Sequence, residues 1–290
     1  FFFQAEDGIR DVAVTGVQTV LFRSAIDPVA IAIGPFAIRW YALAYIGGIV
    51  LGWRYALYLV DRTPVFMTRR DMDDFILWLT LGIILGGRLG YVLFYKLGYY
   101  IENPIEALYV WHGGMSFHGG LLGVLLAVYL FARSRGLSGL ALGDIVATVT
   151  PIGLFFGRLA NFINGELFGR ESDVPWAMVF PAGGTEPRHP SQLYEAFSEG
   201  LVLLALMAIV ARRVEIRTRP GRTGGIFLAG YALARLIGEV FREPDAHLGF
   251  IFGPVTMGQI LSLPMLLVGL YLIWQSDRLP RLPLKPAPTQ

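Results

Sequence analysis

The stretch FGRLANFINGELFGR, residues 156–170, places polar side chains where an apolar segment ends. It contains two arginines, two asparagines and a glutamate: Arg158, Asn161, Asn164, Glu166 and Arg170. Such groups are costly at the depth of a lipid bilayer, so they either pair with one another or serve a ligand. Arg158 and Asn161 share a face if the helix continues, and Glu166 is spaced to pair with Arg170. A capped helix end is the structural alternative.

The composition of the whole chain indicates that this stretch belongs to an integral membrane protein. Hydrophobic residues make up 54% of the 290 residues and charged residues only 16%. The mean hydropathy is +0.55, and the apolar residues fall in long runs. A net charge of +2 with scattered arginines gives no indication of a nucleic-acid partner. Cysteine is absent and the histidines lack metal-ligand spacing, so we predict neither a metal nor another cofactor.

The fold class that follows is all-α: a polytopic membrane protein with about seven transmembrane helices and a small head. Each predicted span is near the twenty residues that a helix needs to cross the bilayer. The spans are 40–59, 74–94, 117–132, 142–159, 191–211, 225–241 and 255–274. Closely spaced glycines in the second and third spans predict close helix packing rather than a functional site: Gly82, Gly86, Gly90, Gly119, Gly120 and Gly123.

No repeat or linker divides the chain, so residues 25–276 are predicted to form one membrane domain, with a signature and head segment at 161–190. Residues 1–24 are predicted to be a non-native extension, because acidic residues stand where a signal peptide carries positive charge. The proline-rich tail 277–290 is predicted to be disordered.

Basic residues predict the orientation of the spans. Lysine and arginine are concentrated after the first, third and fifth spans and in the C-terminal tail. Cytoplasmic loops collect these residues, so the N-terminus is expected outside and the C-terminus inside. The stretch 156–170 is then expected at the outer face.

A second polar set lies in the sixth span, in LARLIGEVFRE. Arg235, Glu239 and Arg242 stand at i, i+4 and i+7 and form one stripe on an apolar helix. An internal pair between Arg235 and Glu239 is the simple explanation. The stripe nevertheless has one more arginine than carboxylate, which suits an external anion. Arginines from two helices would clamp the phosphate of a phospholipid headgroup.

The segment GGMSFHGG, residues 113–120, supplies a histidine at the start of the third span. Ser116 and His118 do not form the GxSxG elbow of serine hydrolases, because the spacing differs and no strand precedes them. A cap or hydrogen-bonding role is the alternative to a base for His118. Trp40 and Tyr41, at the mouth of the first span, are belt aromatics by default.

Taken in order, these blocks resemble the prolipoprotein diacylglyceryl transferase family. GRLANFINGELFGR looks like its signature, and further blocks match at 86–95, 113–120, 188–195 and 257–265 (GGRLGYVLFY, GGMSFHGG, RHPSQLYE and MGQILSLPM). Several blocks in one order are more specific than any single one. The departures are His112 where an acidic residue is common, Ala160 where Gly is frequent, and a head segment shorter than in some members, which bears on the acceptor-peptide surface.

The resemblance implies a multi-pass enzyme of the bacterial inner membrane, with its active site toward the periplasm. Such enzymes transfer the diacylglyceryl group of phosphatidylglycerol to the thiol of the lipobox cysteine in a prolipoprotein signal peptide. The reaction forms a thioether and releases glycerol phosphate. The expected partners are phosphatidylglycerol, the prolipoprotein and the surrounding lipids.

The motifs also imply the site residues. The expected catalytic residues are Arg158, Arg235, His118, Glu166 and Glu239, and the expected substrate-binding residues are Arg158, Asn161, Gly169, Tyr41, Arg242 and Arg88. Arg158 and Arg235 are expected to bind phosphate and to stabilise the departing anion. Glu239 is expected to hold Arg235, and His118 as thiol base is a hypothesis.

Two other functions compete with this interpretation. A membrane lipid transporter or flippase predicts polar residues through the full depth of the membrane. Here the helix charges lie mainly toward one face, with Arg88 as the exception, and no broken-helix repeat is visible. An intramembrane serine protease needs a serine paired with histidine in a suitable motif, which Ser116 and His118 lack.

Overall fold

The computed structural model describes residues 22–23, 26–34, 36–244 and 249–284. Within these ranges, seven helices are long and apolar enough to cross a membrane, which confirms the all-α multi-pass prediction. The helices are α1 Trp40–Val60, α2 Arg69–Phe94, α3 Leu97–Glu102, α4 Phe117–Arg135, α5 Gly139–Asn164, α6 Ser191–Glu195, α7 Leu203–Ala211, α8 Val214–Arg217, α9 Arg222–Phe241 and α10 Met257–Ser276. The fifth span, Ser191–Ala211, joins α6 to α7 through a π-helical segment, Ala196–Val202.

Short strands lie outside the spanning helices. They are β1 Phe22–Arg23, β2 Val29–Ile33, β3 Phe36–Arg39, β4 Met178–Val179, β5 Phe250–Phe252 and β6 Val255–Thr256. Strands β2 and β3 form an antiparallel hairpin that leads directly into α1, and β5 and β6 form another that leads into α10. Strand β1 pairs in parallel with β4 of the head segment. In the described part of the chain, three two-stranded sheets therefore flank the helices.

Local sequence explains where the helices begin and end. Thr68 and Thr256 form capping boxes with Asp71 and Gln259 at the starts of α2 and α10. Two of the interior helices end at a glycine in the left-handed conformation: α4 at Gly136 (φ 64°) and α5 at Gly165 (φ 66°). The chain therefore leaves α5 in the middle of the signature stretch.

Helix α5 is the centre of the bundle, because it contacts α1, α4, the fifth span and α9. Helices α2 and α4 form a second close pair. A Cβ atom at Gly82 would lie 2.6 Å from the carbonyl oxygen of Gly123, and one at Gly90 would lie 2.7 Å from Cα of Gly119. The predicted packing role is confirmed for Gly82, Gly86, Gly90, Gly119 and Gly123, since only glycine allows the two backbones to approach this closely, whereas a Cβ atom at Gly120 would make an ordinary contact at 3.7 Å.

The two ends of the bundle differ in chemistry. The apolar core lies near the ends of α1, α4 and α7, where Phe75, Phe131 and Leu142 are fully buried. At the same end, the carboxylate of Asp144 accepts hydrogen bonds from the backbone N–H groups of Gly221 and Gly224 and so fixes the start of α9. Buried charges gather at the opposite end, next to the head segment.

The predicted terminal segments are only partly described. Of residues 1–24, all but Phe22 and Arg23 lie outside the described residues, and so do His247 and residues 285–290. In the described part of the tail, the N–H group of Leu282 donates to the carbonyl oxygen of Thr218 at 2.8 Å. The division of the chain at residues 24 and 276 stays a prediction.

Candidate active site

Arg158 projects from α5 toward the fifth span and meets two buried carboxylates. Its Nη1 lies 2.9 Å from Oε2 of Glu195, and its Nε and Nη2 donate to Oε2 of Glu199 at 3.1 and 2.8 Å. Both glutamates are fully buried. Arg158 lies six residues before the end of α5, about 9 Å along the helix axis from the head side.

Arg235 approaches the same carboxylates from α9. Its Nη1 lies 2.7 Å from Oε1 of Glu195 and 3.7 Å from Oε1 of Glu199. Its Nη2 forms a short ion pair with Oε1 of Glu239, so the expectation that Glu239 holds Arg235 is confirmed. Arg242, at the end of α9, lies 3.7 Å from Glu195 and 4.0 Å from Glu239. We call these three arginines and three glutamates the charged cluster.

The charged cluster contains as many carboxylates as arginines, whereas the sequence predicted an excess of one arginine. That expectation counted only the stripe on α9, whereas Glu195 and Glu199 of the fifth span supply two further carboxylates. The low-dielectric surroundings require this balance, because an unpaired buried charge costs several kcal/mol. Among the described residues no group of His, Asp or Glu side chains is arranged to hold a metal ion.

Glu195 and Glu199 are functional candidates that sequence reasoning missed. They stand four apart inside an apolar span, which is the same intramembrane charge signal that identified Arg158 and Arg235. Glu199 lies in the π-helical segment, a rare geometry that often occurs at functional sites. The segment packs tightly on α5, because a Cβ atom at Gly200 would lie 2.7 Å from Cβ of Phe155.

The carboxylate of Glu239 is fixed by the start of α10. Thr256 donates a hydrogen bond from its hydroxyl to Oε2 of Glu239 at 2.6 Å while also capping α10. Gly258 faces the same carboxylate, and a Cβ atom there would lie 2.5 Å from its Cδ. The MGQILSLPM block and the preceding Thr256 therefore contribute to the charged cluster: Gly258 leaves room for the Glu239 carboxylate, and Thr256 orients it.

Asn161 and Glu166 form a second polar group beside the cluster. Helix α5 continues past both Arg158 and Asn161, beyond the predicted end of the span at residue 159. The buried Asn161 donates from Nδ2 to Oε1 of Glu166 at 2.8 Å. Glu166 itself is exposed. Tyr41, at the start of α1, lies within electrostatic reach of both Glu166 and Arg158 and bonds Tyr45 through its hydroxyl at 3.3 Å.

The predicted pair between Glu166 and Arg170 is wrong. The pairing assumed a continuous helix, but α5 ends at Asn164 and Gly165 turns the chain. Glu166 instead accepts from the two asparagines before it. Arg170 donates to the backbone carbonyls of Arg242 and Glu239 at 3.0 and 3.2 Å, where it satisfies the end of α9.

The head segment is held against the end of α9 through Gly169. A Cβ atom at this position would lie 2.6 Å from each of three atoms: Cβ and O of His189 and O of Phe241. The N–H group of Gly169 donates to the carbonyl of His189 at 2.9 Å. The ring of His189 packs on Tyr194 and Phe241, and burial lowers the pKa of His189 below its ordinary value.

Arg188 is a second fixed point of the head. It donates to the carbonyl oxygen of Gly183 at 3.0 Å and pairs with Glu171 at 2.9 Å and Glu243 at 3.2 Å. Its guanidinium lies over the ring of Phe168, which itself stacks on the fully buried Phe180. The short head is therefore an ordered element that connects the signature stretch to the end of α9.

Arg88 is buried in α2 and binds backbone rather than a carboxylate. Its Nε donates to the carbonyl of Ala107 at 2.9 Å and its Nη2 to that of Glu106 at 2.7 Å. Its Nη1 donates to the carbonyls of Gly113 and Gly114. Arg88 thus holds the loop after the second span onto α2. This structural role explains why a charged residue lies inside α2, and no substrate path through the membrane is needed to account for it.

His118 lies at the start of α4 and is exposed. Ser116 is the residue that caps this helix, because its hydroxyl accepts from the N–H group of Gly119 at 3.2 Å. The ring of His118 contacts Phe117, and within the described ranges no hydrogen bond links His118 to the charged cluster. The structure therefore brings Arg158, Arg235, Arg242 and Glu239 together but leaves His118 and Arg88 apart from them.

Comparison with known proteins identifies the family of the chain. The family model described as prolipoprotein diacylglyceryl transferase matches residues 28–275. The chain is 60% identical to the phosphatidylglycerol–prolipoprotein diacylglyceryl transferase of Azospirillum brasilense, over 88% of this chain and 96% of that protein. It is 61% identical to the same-named protein of Paramagnetospirillum magneticum, over 86% and 93% of the two chains. With a family match over most of its length and relatives this similar, the chain belongs to the prolipoprotein diacylglyceryl transferase family.

Proposed function

We propose that the chain transfers the diacylglyceryl group of phosphatidylglycerol to the thiol of a prolipoprotein cysteine. The thiolate sulfur attacks the glyceryl carbon that bears the phosphate ester. A carbon–sulfur bond forms, the carbon–oxygen bond to phosphate breaks, and its electron pair leaves with glycerol phosphate. The observation that carries this proposal is the convergence of Arg158 and Arg235, from α5 and α9, on the same two carboxylates.

The charged cluster suits a leaving phosphate because its arginines are oriented before substrate binds. Glu195 and Glu199 fix the planar guanidinium of Arg158 through three short contacts. Donors that are already oriented stabilise developing negative charge without reorganising during the reaction. The near-neutral cluster also avoids trapping the released glycerol phosphate, since an unpaired pair of arginines would hold the dianion more tightly.

The headgroup has hydroxyl groups that can donate hydrogen bonds to buried acceptors of the site. Oε1 of Glu199 and Oε1 of Gln192 are buried and accept no hydrogen bond from the described residues. These two residues stand at i and i+7 on the fifth span. A glycerol headgroup carries hydroxyl donors, and a buried acceptor is costly to leave unpaired. We therefore assign these acceptors to the headgroup glycerol.

The remaining predicted residues receive roles by position. Asn161, Glu166 and Tyr41 are proposed to bind or orient the headgroup beside Arg158. Arg242 is proposed to complete the arginine set. Gly169 and Arg88 are proposed to act indirectly, since their polar groups bond within the protein and hold the head and the loop after the second span.

His118 as the base that accepts the thiol proton stays a proposal, motivated by its exposed position at the start of α4. Replacing His118→Gln is expected to lower transfer and to remove one limb of its pH profile. His189→Gln is the matched control, because His189 also lies at this end but bonds Tyr194 of α6. Unchanged transfer and pH dependence in His118→Gln would exclude the role while leaving the fold untouched.

We also propose the location: the bacterial inner membrane, with the N-terminus and the charged cluster toward the periplasm and the C-terminus in the cytoplasm. The asymmetry of basic residues supports this orientation. The chain contains no cysteine, so single cysteines can report sidedness without background. Thr185→Cys in the head should react with a membrane-impermeant maleimide in intact cells, and Arg213→Cys only after lysis. The reverse pattern would invert the orientation.

The deciding experiment uses purified protein, phosphatidylglycerol labelled in its acyl chains and a peptide with a lipobox cysteine. Label on the peptide thiol, together with released glycerol phosphate, is the expected result. A peptide in which serine replaces the lipobox cysteine is the control. Label that only changes leaflet in proteoliposomes, with none on the peptide, would favour a flippase instead.

A further inference from the structure

A groove lies between α1, α5 and α7 at the end of the bundle opposite the charged cluster. Its volume is about 510 Å³. The walls are mainly apolar and aromatic and include Tyr55, Tyr58, Ile152, Leu204 and Ala208. Two arginines, Arg62 and Arg212, lie at one end. Tyr58 keeps 49% of its surface exposed, so the groove opens on the side of the bundle. From Leu204 to Arg212 it follows α7 for about 12 Å.

The arginines that line this groove have no acidic partner among the described residues. By contrast, Arg69 and Arg135, at the same end of the bundle, pair with Asp61 and Asp71. Arg62, Arg212 and Arg217 all lie within electrostatic reach of the Tyr55 hydroxyl. In the part of the chain that the structure describes, none of the three forms an ion pair. Positive charge therefore accumulates here without compensation.

One of the three arginines is already used by the fold. Arg217 donates from Nη2 to the carbonyl oxygens of Leu59 and Arg62 at 2.6 and 3.0 Å, at the end of α1. Burial, followed by the like charge of Arg62, lowers the pKa of Arg217, in keeping with a local excess of positive charge. Arg62 lies over the ring of Tyr58, 4.2 Å from its centroid. The donors of Arg62 and Arg212 remain for a ligand.

We infer that this groove binds an anionic phospholipid, whose phosphate lies between Arg62 and Arg212 and whose acyl chain follows the apolar wall. Basic pockets between transmembrane helices recognise lipid phosphates in this way. The apolar wall beside Leu204 and Ala208 selects a lipid over a free anion, because a soluble phosphate would leave it uncovered. The leaflet rests on the proposed orientation, which makes it the cytoplasmic one. This lipid is distinct from the diacylglyceryl donor, which is proposed to react at the other end.

The test counts bound lipid directly. The whole protein is placed in phosphatidylcholine nanodiscs that contain a minor fraction of phosphatidylserine, and retained phosphatidylserine is measured by native mass spectrometry. Arg62→Gln with Arg212→Gln is expected to weaken retention about fivefold for each arginine replaced. Arg213→Gln is the matched control, since it removes one exposed positive charge next to the groove without lining it. Undiminished retention in the double variant, or equal loss in Arg213→Gln, would overturn the inference.

A second variant tests the acyl chain and covers the case in which the double variant does not fold. Ala208→Leu narrows the groove and leaves every arginine in place, so it should reduce phosphatidylserine retention severalfold. Unchanged retention, or full displacement by soluble glycerol phosphate, would rule out a lipid seated in the groove. Both measurements omit the acceptor peptide. A chain that transfers diacylglyceryl but retains no phosphatidylserine refutes only this inference, and the opposite outcome refutes only the proposed function.

Discussion

Arg158 donates two hydrogen bonds to one carboxylate oxygen of Glu199, from Nε at 3.1 Å and from Nη2 at 2.8 Å. The two residues come from different spans, and Glu199 is fully buried. Charge-assisted contacts of this kind have well-defined geometry, so the pair fixes both the position and the plane of the guanidinium. Glu195 completes the arrangement by joining Arg158 to Arg235.

Glu199→Gln is expected to destabilise the protein by about 3 kcal/mol or more, because it leaves Arg158 with an incomplete anionic environment. The melting temperature of the purified protein in detergent should fall, and transfer should fall with it. Glu171→Gln is the matched control, since Glu171 pairs with Arg188 but keeps 62% of its side chain exposed. An exposed pair contributes at most about 1 kcal/mol. Equal losses of stability in the two variants would mean that burial of the charged cluster does not increase its contribution to stability.

Arg158→Lys is expected to reduce transfer by about a hundredfold, the order of magnitude lost when one oriented donor is removed from an oxyanion site. A lysine keeps the charge but cannot contact Glu195 and Glu199 with the same planar fork. Arg135→Lys offers a comparison, because Arg135 also lies between two carboxylates but is 43% exposed at the other end. Transfer measured with labelled phosphatidylglycerol should stay within a few fold in that variant. Near-normal transfer by Arg158→Lys would show that a point charge suffices.

Gly169→Ala is expected to displace the head from the end of α9. The new methyl group would overlap with atoms of His189 and Phe241, each 2.6 Å away, and overpacking of this kind costs about 1 to 3 kcal/mol. Faster proteolysis within residues 171–188 and a lower melting temperature are the measurements. Gly98→Ala in α3 has open space around the added Cβ atom and should be neutral or slightly stabilising. A fully stable Gly169→Ala would contradict the packing argument.

The stability of the head is expected to depend on pH through His189. Burial lowers the pKa of His189 below 6.5, so the unfolded chain takes up a proton at a higher pH than the folded chain. Stability should therefore fall as the pH decreases through about 6.5. Melting temperatures recorded between about pH 7.5 and 5.5 should show a smaller decrease in His189→Gln. His118→Gln should keep the decrease of the unsubstituted protein, and an unaltered slope in His189→Gln would assign the effect elsewhere.

The membrane fold could be predicted from the sequence because it depends on local properties. Apolar runs near twenty residues identified each of the seven spanning helices found in the described ranges, and Ser191 and Ala211 bound the fifth span as predicted. The positions of the helix ends were predicted less accurately. The second helix begins at Arg69 rather than at residue 74, because the capping box of Thr68 and Asp71 extends it beyond its apolar part.

Four of the six members of the charged cluster could be found in the same way. Arg158, Arg235, Glu239 and Arg242 are conspicuous because charges inside or at the end of apolar spans are expensive. Glu195 and Glu199 carry the same signal in LYEAFSEG, so the sequence also contains the information that identifies them. The false pair of Glu166 with Arg170 had a different cause, since helical spacing was applied across the turn at Gly165.

The sequence by itself determined the number of spans, the asymmetry of basic residues and the types of charged group available, because each depends on residues close together in the chain. Only the tertiary structure decided which charges meet. Arg158 and Glu199 are 41 positions apart in the chain, and Arg235 and Glu195 are 40 positions apart. The glycines that let helices pack closely and the π-helical segment that carries Glu199 set these distances. Charge balance in the cluster is therefore a property of packing between helices, which no single helix reveals.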